Sequence, residues 1–254
     1  MFSKSIIKYI QSLQHKKFRD AHNAFIAEGN KVVSELIGGN NFVCNNIYAT
    51  NEWINDNEKL LLGINKEKIR EVKDFELEKI AAFSTPNFVV AEFQKNTRLI
   101  DLNLKNKITV LLDDIRDPGN FGTIIRTADW FGIETIICSE QTVDMYNPKV
   151  IQSTMASFGR VNIVYTNLEE IIKKHHHIKS YAASLDGKDL QDCGKLKEGF
   201  IIIGNESKGI SGLLLHLATE RITIPRSGSA ESLNAAVAAG IILYAVIQHT
   251  KSNI

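Results

Sequence analysis

From Leu233 to Ile247 the chain carries no charged side chain, and alanine, glycine and branched aliphatics dominate. A helix of that composition has no face suited to water and must be covered by other parts of the fold. Just before it, Ile222-Thr223-Ile224 reads as a short strand stopped by Pro225. A polar, glycine-containing turn follows, and the spacing predicts a helix from near Glu231. Ser232 and Asn234 then fall in its first turn. Polar side chains at the mouth of a buried helix need a cap, a partner or a ligand. A buried strand feeding a buried helix implies a layered α/β core, with chemistry to be sought at their junction.

The chain upstream agrees with such a core. Apolar strands at Ile108–Leu112, Glu134–Cys138, Asn162–Tyr165, Ser180–Ala183, Phe200–Gly204 and Ile222–Ile224 alternate with helical segments. Apolar strands separated by helices predict a parallel sheet covered on both faces. Ligands in such sheets gather at the carboxyl ends of the strands, so the loops after Leu112, Ile203 and Ile224 should meet. Residues 1–95 form a smaller α/β unit of short strands and helices, 96–107 a polar, basic linker, and 108–254 the larger domain. The chain has 254 residues and a formal net charge of +1, so affinity for nucleic acid must come from local patches. Lys16, Lys17 and Arg19 are one such patch, whose bland alternative is a solvated face. No run is long and apolar enough to span a membrane, and the N-terminal stretch lacks the pattern of a signal peptide. Cys44, Cys138 and Cys193 have no metal-ligand spacing, and no other cluster predicts a metal. A cytoplasmic setting is expected. Lys173-Lys174-His175-His176-His177 ends a helix and reads as a solvated face.

Three loops hold the polar residues that could do chemistry. In the first, Pro118-Gly119 turns the chain, Asn120 stands at a helix head and Arg126 lies beyond the first turn. Asp129 could pair with Arg126 as an ordinary i,i+3 contact. In the second, Gly204-Asn205-Glu206-Ser207-Lys208-Gly209-Ile210-Ser211 approaches a phosphate loop, but isoleucine occupies the lysine position. No G-x-G-x-x-G follows the first strand of the larger domain, which weighs against a dinucleotide. The third loop is Ile224-Pro225 through Ser232-Leu233-Asn234.

Together, in this order, the loops resemble the three signature motifs of the SpoU, or TrmH, family of RNA 2′-O-ribose methyltransferases. Asn120-Phe121-Gly122 with Arg126-Thr127-Ala128 is similar to the first, Gly204 through Ser211 to the second, and Ile224-Pro225 with Ser232-Leu233-Asn234 to the third. The likeness runs from Ile108 to the C-terminus. Lys16 through Leu36 resembles the opening of the family's N-terminal substrate-binding domain, itself similar to ribosomal protein L30e. Alanine stands at 230 where the family often has valine, and at 156 where it commonly has glycine.

The resemblance implies a catalytic domain with a deep trefoil knot, S-adenosylmethionine as methyl donor, and a homodimer. It implies RNA as substrate, ribosomal RNA rather than transfer RNA being expected. Arg126, Asn120, Glu206, Ser232 and Asn234 become the catalytic candidates. Gly204, Asn205, Gly209, Ile224, Pro225, Ser232 and Leu233 become the cofactor-binding candidates, and Lys16, Lys17 and Arg19 the RNA contacts. The competing expectations are a non-catalytic RNA-binding or ribosome-assembly protein keeping the fold, a transfer-RNA methyltransferase, and an unrelated dehydrogenase-like enzyme.

Overall fold

The computed structural model describes residues 3–39, 41–83, 88–96 and 102–247. Two compact units divide the chain: residues 1–99 with 144–160, and residues 100–143 with 161–254. Ser84-Thr85-Pro86, which by residue type separates a helix from a strand, and residues 97–101 of the expected linker lie outside the described residues.

The first unit opens with α1 (Lys4–Ser12) and α2 (Lys16–His22), followed by β1 (Ala24–Glu28) and α3 (Asn30–Gly38). Next come β2 (Cys44–Ala49), α4 (Asn51–Asp56), α5 (Glu58–Leu61), β3 (Ile69–Glu71), α6 (Asp74–Leu77) and β4 (Val89–Gln94). Its four strands lie in the order β1-β4-β2-β3. The pairings of β4 are antiparallel, and that of β2 with β3 is parallel. Ile10 and Leu13 of the first helical segment, at their helical spacing, pack on Ile26, Tyr48 and Val90 of the sheet. The basic stretch forms a helix of its own, ended by Asn23 in a left-handed conformation (φ 48°). Residues 44–49 form one strand with a register shift between Cys44 and Asn46. Lys73 is the N-cap of α6.

The second unit contains β5 (Ile108–Asp113), α7 (Pro118–Trp130) and β6 (Thr135–Cys138). After α8 (Pro148–Thr154) come β7 (Asn162–Tyr165), α9 (Leu168–Lys174), β8 (Ser180–Asp189) and β9 (Gly199–Gly204). It closes with α10 (Gly212–Leu217), β10 (Glu220–Thr223) and α11 (Ala235–Val246). The six strands lie in the order β10-β8-β9-β5-β6-β7, all parallel. Leu111, Ile137, Phe200 and Ile202 on one face pack against Leu168 and Ile172 of α9 and Leu214 of α10. Their strand neighbours Val110, Leu112, Ile136 and Ile201 are equally buried, so the other face is covered too. There α11 packs on β9 and on α7. This is an α/β fold with an all-parallel C-terminal sheet. Leu104, inside the expected linker, is buried in this core and anchors the chain before β5.

The boundary 108–254 needs one correction. Asp144–Arg160, including α8, belongs to the first unit. Phe25 of β1 has its ring centroid 4.8 Å from Tyr146 and 5.8 Å from Phe158. Asp144 forms an ion pair with Arg19 at 2.7 Å. Ala156 adopts φ +71°, a left-handed conformation strain-free only for glycine. That gives a backbone reason for the glycine commonly found at this position in the resembled family.

Candidate active site

Strands β5, β9 and β10 end at one edge of the parallel sheet, and the three expected loops leave from there. The first is fixed at both ends of its turn. Asp117 caps α7 by accepting the Asn120 N–H at 2.7 Å, and Pro118 occupies the first helical turn, where its missing N–H costs nothing. The second is a tight hairpin. The Asn205 N–H donates to the Gly209 carbonyl at 3.0 Å and the Gly209 N–H returns to Asn205 at 2.9 Å. A Cβ on Gly204 would stand 2.3 Å from Gly209 C, and Gly209 has φ +68°, so both positions require glycine. Asn205 Oδ1 accepts the N–H groups of Ser207 and Lys208. Its Nδ2 donates to the Asp114 carbonyl at 2.7 Å, tying the second loop to the first.

Three predicted side chains form one hydrogen-bonded chain. Asn234 Oδ1 caps α11 by accepting the N–H groups of Ala236 (2.9 Å) and Val237 (3.3 Å). With its carbonyl committed, its amide nitrogen donates to Asn120 Oδ1 at 2.8 Å. That in turn directs Asn120 Nδ2 to Glu206 Oε1, 2.9 Å away. Each amide orientation is thus dictated by the next, ending on backbone donors that admit no ambiguity. One residue from each loop takes part, so the chain welds all three together.

Arg126 is exposed on α7, one turn and a half beyond Asn120. Among the described residues it forms no ion pair, so the contact with Asp129 allowed by the spacing is not made. Ser232 and Leu233 are exposed and precede the helix, which starts at Ala235 with Asn234 as its cap rather than near Glu231. Ile224 and Pro225 follow the end of β10.

A further wall of this edge carries no motif in the sequence. Strand β8 pairs with β10 at Tyr181 and Ala182 and again at Lys188 and Asp189, with a register shift between. Residues 183–187 therefore arch out of the ladder beside the end of β10. A Cβ on Gly187 would lie 2.5 Å from the Ile222 backbone, so Gly187 is the signal that could have revealed the arch. Further along the edge, a cleft of about 230 Å³ is lined by Asp113, Ser139, Glu140, Asn167, Ser211 and Leu213.

Of the expected RNA contacts, Arg19 is corrected. Its side chain is 2% exposed, and its guanidinium donates to Asp144 and to the Leu13 and Gln14 carbonyls. It is the internal anchor of α2 and has no donor left on the surface to offer a phosphate. Lys16 and Lys17 are exposed; Lys16 pairs with Asp20 at 3.7 Å. Asp20 is held below the usual carboxylate range chiefly by its hydrogen bond to Lys95. Among the described residues no group of histidine, cysteine or carboxylate side chains could hold a metal ion. No described helix is long and apolar enough to cross a membrane.

Residues 107–244, which contain all three loops, match the SpoU rRNA Methylase family. The chain belongs to that family. Residues 4–91 match the MRM3-like substrate binding domain. Over 241 residues the chain is 29% identical to the 23S rRNA (guanosine(2553)-2′-O)-methyltransferase of Bacillus subtilis, covering 94% of each protein. A TrmH-family protein of known structure from Porphyromonas gingivalis is 31% identical, with a TM-score of 0.86 over 97% of this chain and 98% of that one. An AdoMet-bound rRNA methyltransferase from Sinorhizobium meliloti is 29% identical, with a TM-score of 0.86 over 96% and 95%.

Proposed function

We infer that this SpoU-family chain transfers a methyl group from S-adenosylmethionine to a ribose 2′-hydroxyl of RNA, and that the RNA is ribosomal. The observation that carries the reading is the hydrogen-bonded chain Glu206–Asn120–Asn234, which joins all three family loops. The similarity to ribosomal RNA enzymes along the whole chain supports the substrate class. A ribosomal substrate and three cysteines without disulfides suit a cytoplasmic protein.

The residues at the sheet edge fit the cofactor. The arch at 183–187 and the doubled-back chain at Gly204–Gly209 offer backbone donors and acceptors at close approach, as an adenine edge requires. Leu185 and Leu233 remain exposed there as apolar surface for a purine ring. No lysine sits where a triphosphate would need one. When bound, S-adenosylmethionine supplies an electrophilic methyl group on a sulfonium sulfur.

The protein must place the attacking oxygen in line with that methyl and stabilise the charge it develops. Arg126 does the second task. A guanidinium does not give up its proton near neutral pH, so it acts by donating to the developing alkoxide and the neighbouring phosphate. Asn120, locked between Glu206 and Asn234, positions the ribose, and Ser232 borders the same opening. Lys16 and Lys17 of the first unit contact RNA phosphates. The exposed apolar side chains Leu233, Val237, Ile241 and Tyr244 recur along one face of the α11 segment, and Trp130 is exposed on α7. A second copy of the chain covering this face makes the homodimer.

Mapping 2′-O-methyl sites in total RNA from cells with and without the protein tests the reading. One ribosomal position should lose its methyl group; loss confined to transfer RNA would reassign the substrate. Calorimetry should detect S-adenosylmethionine binding, and binding of ATP or NAD in its place would overturn the reading.

A further inference from the structure

Arg116 lies four residues before Asn120 in the loop between β5 and α7. Its side chain is 63% exposed, yet its Nε donates to Asp114 Oδ1 at 2.7 Å. Asp114 is no ordinary surface carboxylate. Its backbone is left-handed (φ 57°), a conformation that costs a residue with a side chain free energy. Its N–H donates to Ser139 Oγ at 2.9 Å, and its carbonyl accepts from Asn205 Nδ2 at 2.7 Å. Both backbone polar groups are therefore tied to other loops, and the carboxylate is an immobilised acceptor.

An exposed ion pair contributes too little stability to repay a strained backbone. What the pair does deliver is orientation. A guanidinium held through Nε has its plane fixed, while its two terminal nitrogens have no acceptor among the described residues. The competing carboxylates nearby are committed: Asp117 to the Asn120 N–H and Asp113 Oδ2 to the Ser211 N–H. A planar fork presented to solvent in this way matches two oxygens of an anion.

We propose that Arg116 is a preset clamp for a backbone phosphate of the substrate RNA, next to the reacting ribose. This rests on the methyltransferase reading above. The other anion within the chemistry of the site is the carboxylate of S-adenosylmethionine, and the test separates the two.

The protein is assayed on ribosomal RNA from cells lacking it, with KM and kcat followed across salt concentration, and S-adenosylmethionine affinity measured by calorimetry. Arg116→Ala should raise the KM for RNA about tenfold, leave kcat within about threefold, and reduce the salt slope by about one. Affinity for S-adenosylmethionine should stay within about twofold. Arg116→Lys should restore the salt slope but only part of the KM, because charge returns without the fork. Asp114→Asn should raise KM by less than Arg116→Ala does and leave the slope intact, since a neutral amide oxygen holds the guanidinium more weakly and its charge remains. Unchanged KM and slope in Arg116→Ala would overturn the proposal, as would weakened cofactor binding with normal RNA kinetics. Failure of the parent protein to bind the cofactor or to methylate would instead overturn the functional reading.

Discussion

Arg126 and Asn234 show how single side chains divide between folding and chemistry. Arg126 is exposed and forms no ion pair among the described residues, so Arg126→Ala should change stability by less than about 0.5 kcal/mol, the scale of a surface substitution. Single-turnover methyl transfer under saturating cofactor should fall by about a hundredfold, as for loss of a donor to a developing oxyanion. A rate within twofold of the parent would remove Arg126 from the mechanism. Asn234 has two jobs that substitution can separate. Asn234→Ala loses the cap on Ala236 and Val237 and should cost about 1 kcal/mol in denaturant titration. Asn234→Asp keeps the cap but turns the donor to Asn120 into an acceptor, so the parent melting temperature should survive while kcat drops. An Asp variant with parental kcat would show that the orientation of Asn120 does not matter.

At the level of elements, α2 carries one buried cation among exposed ones. Removing a partner from a buried pair leaves an uncompensated charge, so Arg19→Ala should destabilise the protein by about 3–5 kcal/mol. Lys17→Ala should leave the melting temperature unchanged and lower the salt slope of RNA binding by about one. The opposite pattern would return Arg19 to the RNA surface. Around the same unit, burial pushes the Cys44 thiol and the Tyr146 hydroxyl up to about 12. Unfolding lets both ionise at their ordinary values of 9.0 and 10.0. Their contribution is therefore complete below about pH 9 and declines as pH rises toward 12. Thermal melts across that window should show the loss, reduced in Cys44→Ala.

For the whole molecule, the uncharged helix poses the question of association. Sequence required all of it to be covered, but α11 buries only Ala235, Ala236, Ala239, Ile242, Leu243 and Val246 within one chain. Val237 (51% exposed), Ile241 and Tyr244 stay exposed on α11, and Trp130 (84%) is exposed on α7. Apolar surface gathered on one element favours a partner. Light scattering at micromolar concentration should return about 57 kDa, twice the 28.4 kDa of the chain. Val237→Glu combined with Ile241→Glu should return the chain mass, and a parental monomer would sink the dimer.

The sequence by itself determined the parallel α/β core, because runs such as Val110 to Leu112 and Phe200 to Ile203 have no polar face and can be placed only between two layers of helices. It also determined the three loops, since glycine at 204 and 209 and the spacing from Asn120 to Arg126 leave a local record in residue type. What it could not hold was partnership. Lys16, Lys17 and Arg19 look alike along the chain, and only the tertiary structure sends Arg19 inward to Asp144, a residue 125 positions away. The same holds for Ala156, for the arch at 183–187, and for residues 144–160, whose aromatic side chains take them into the first unit. Residue type records the solvent a side chain prefers and the backbone it tolerates. Which polar group meets which across a hundred positions is decided by packing, and that is why Glu206, Asn120 and Asn234 became a single chain of hydrogen bonds only once the fold had brought their loops together.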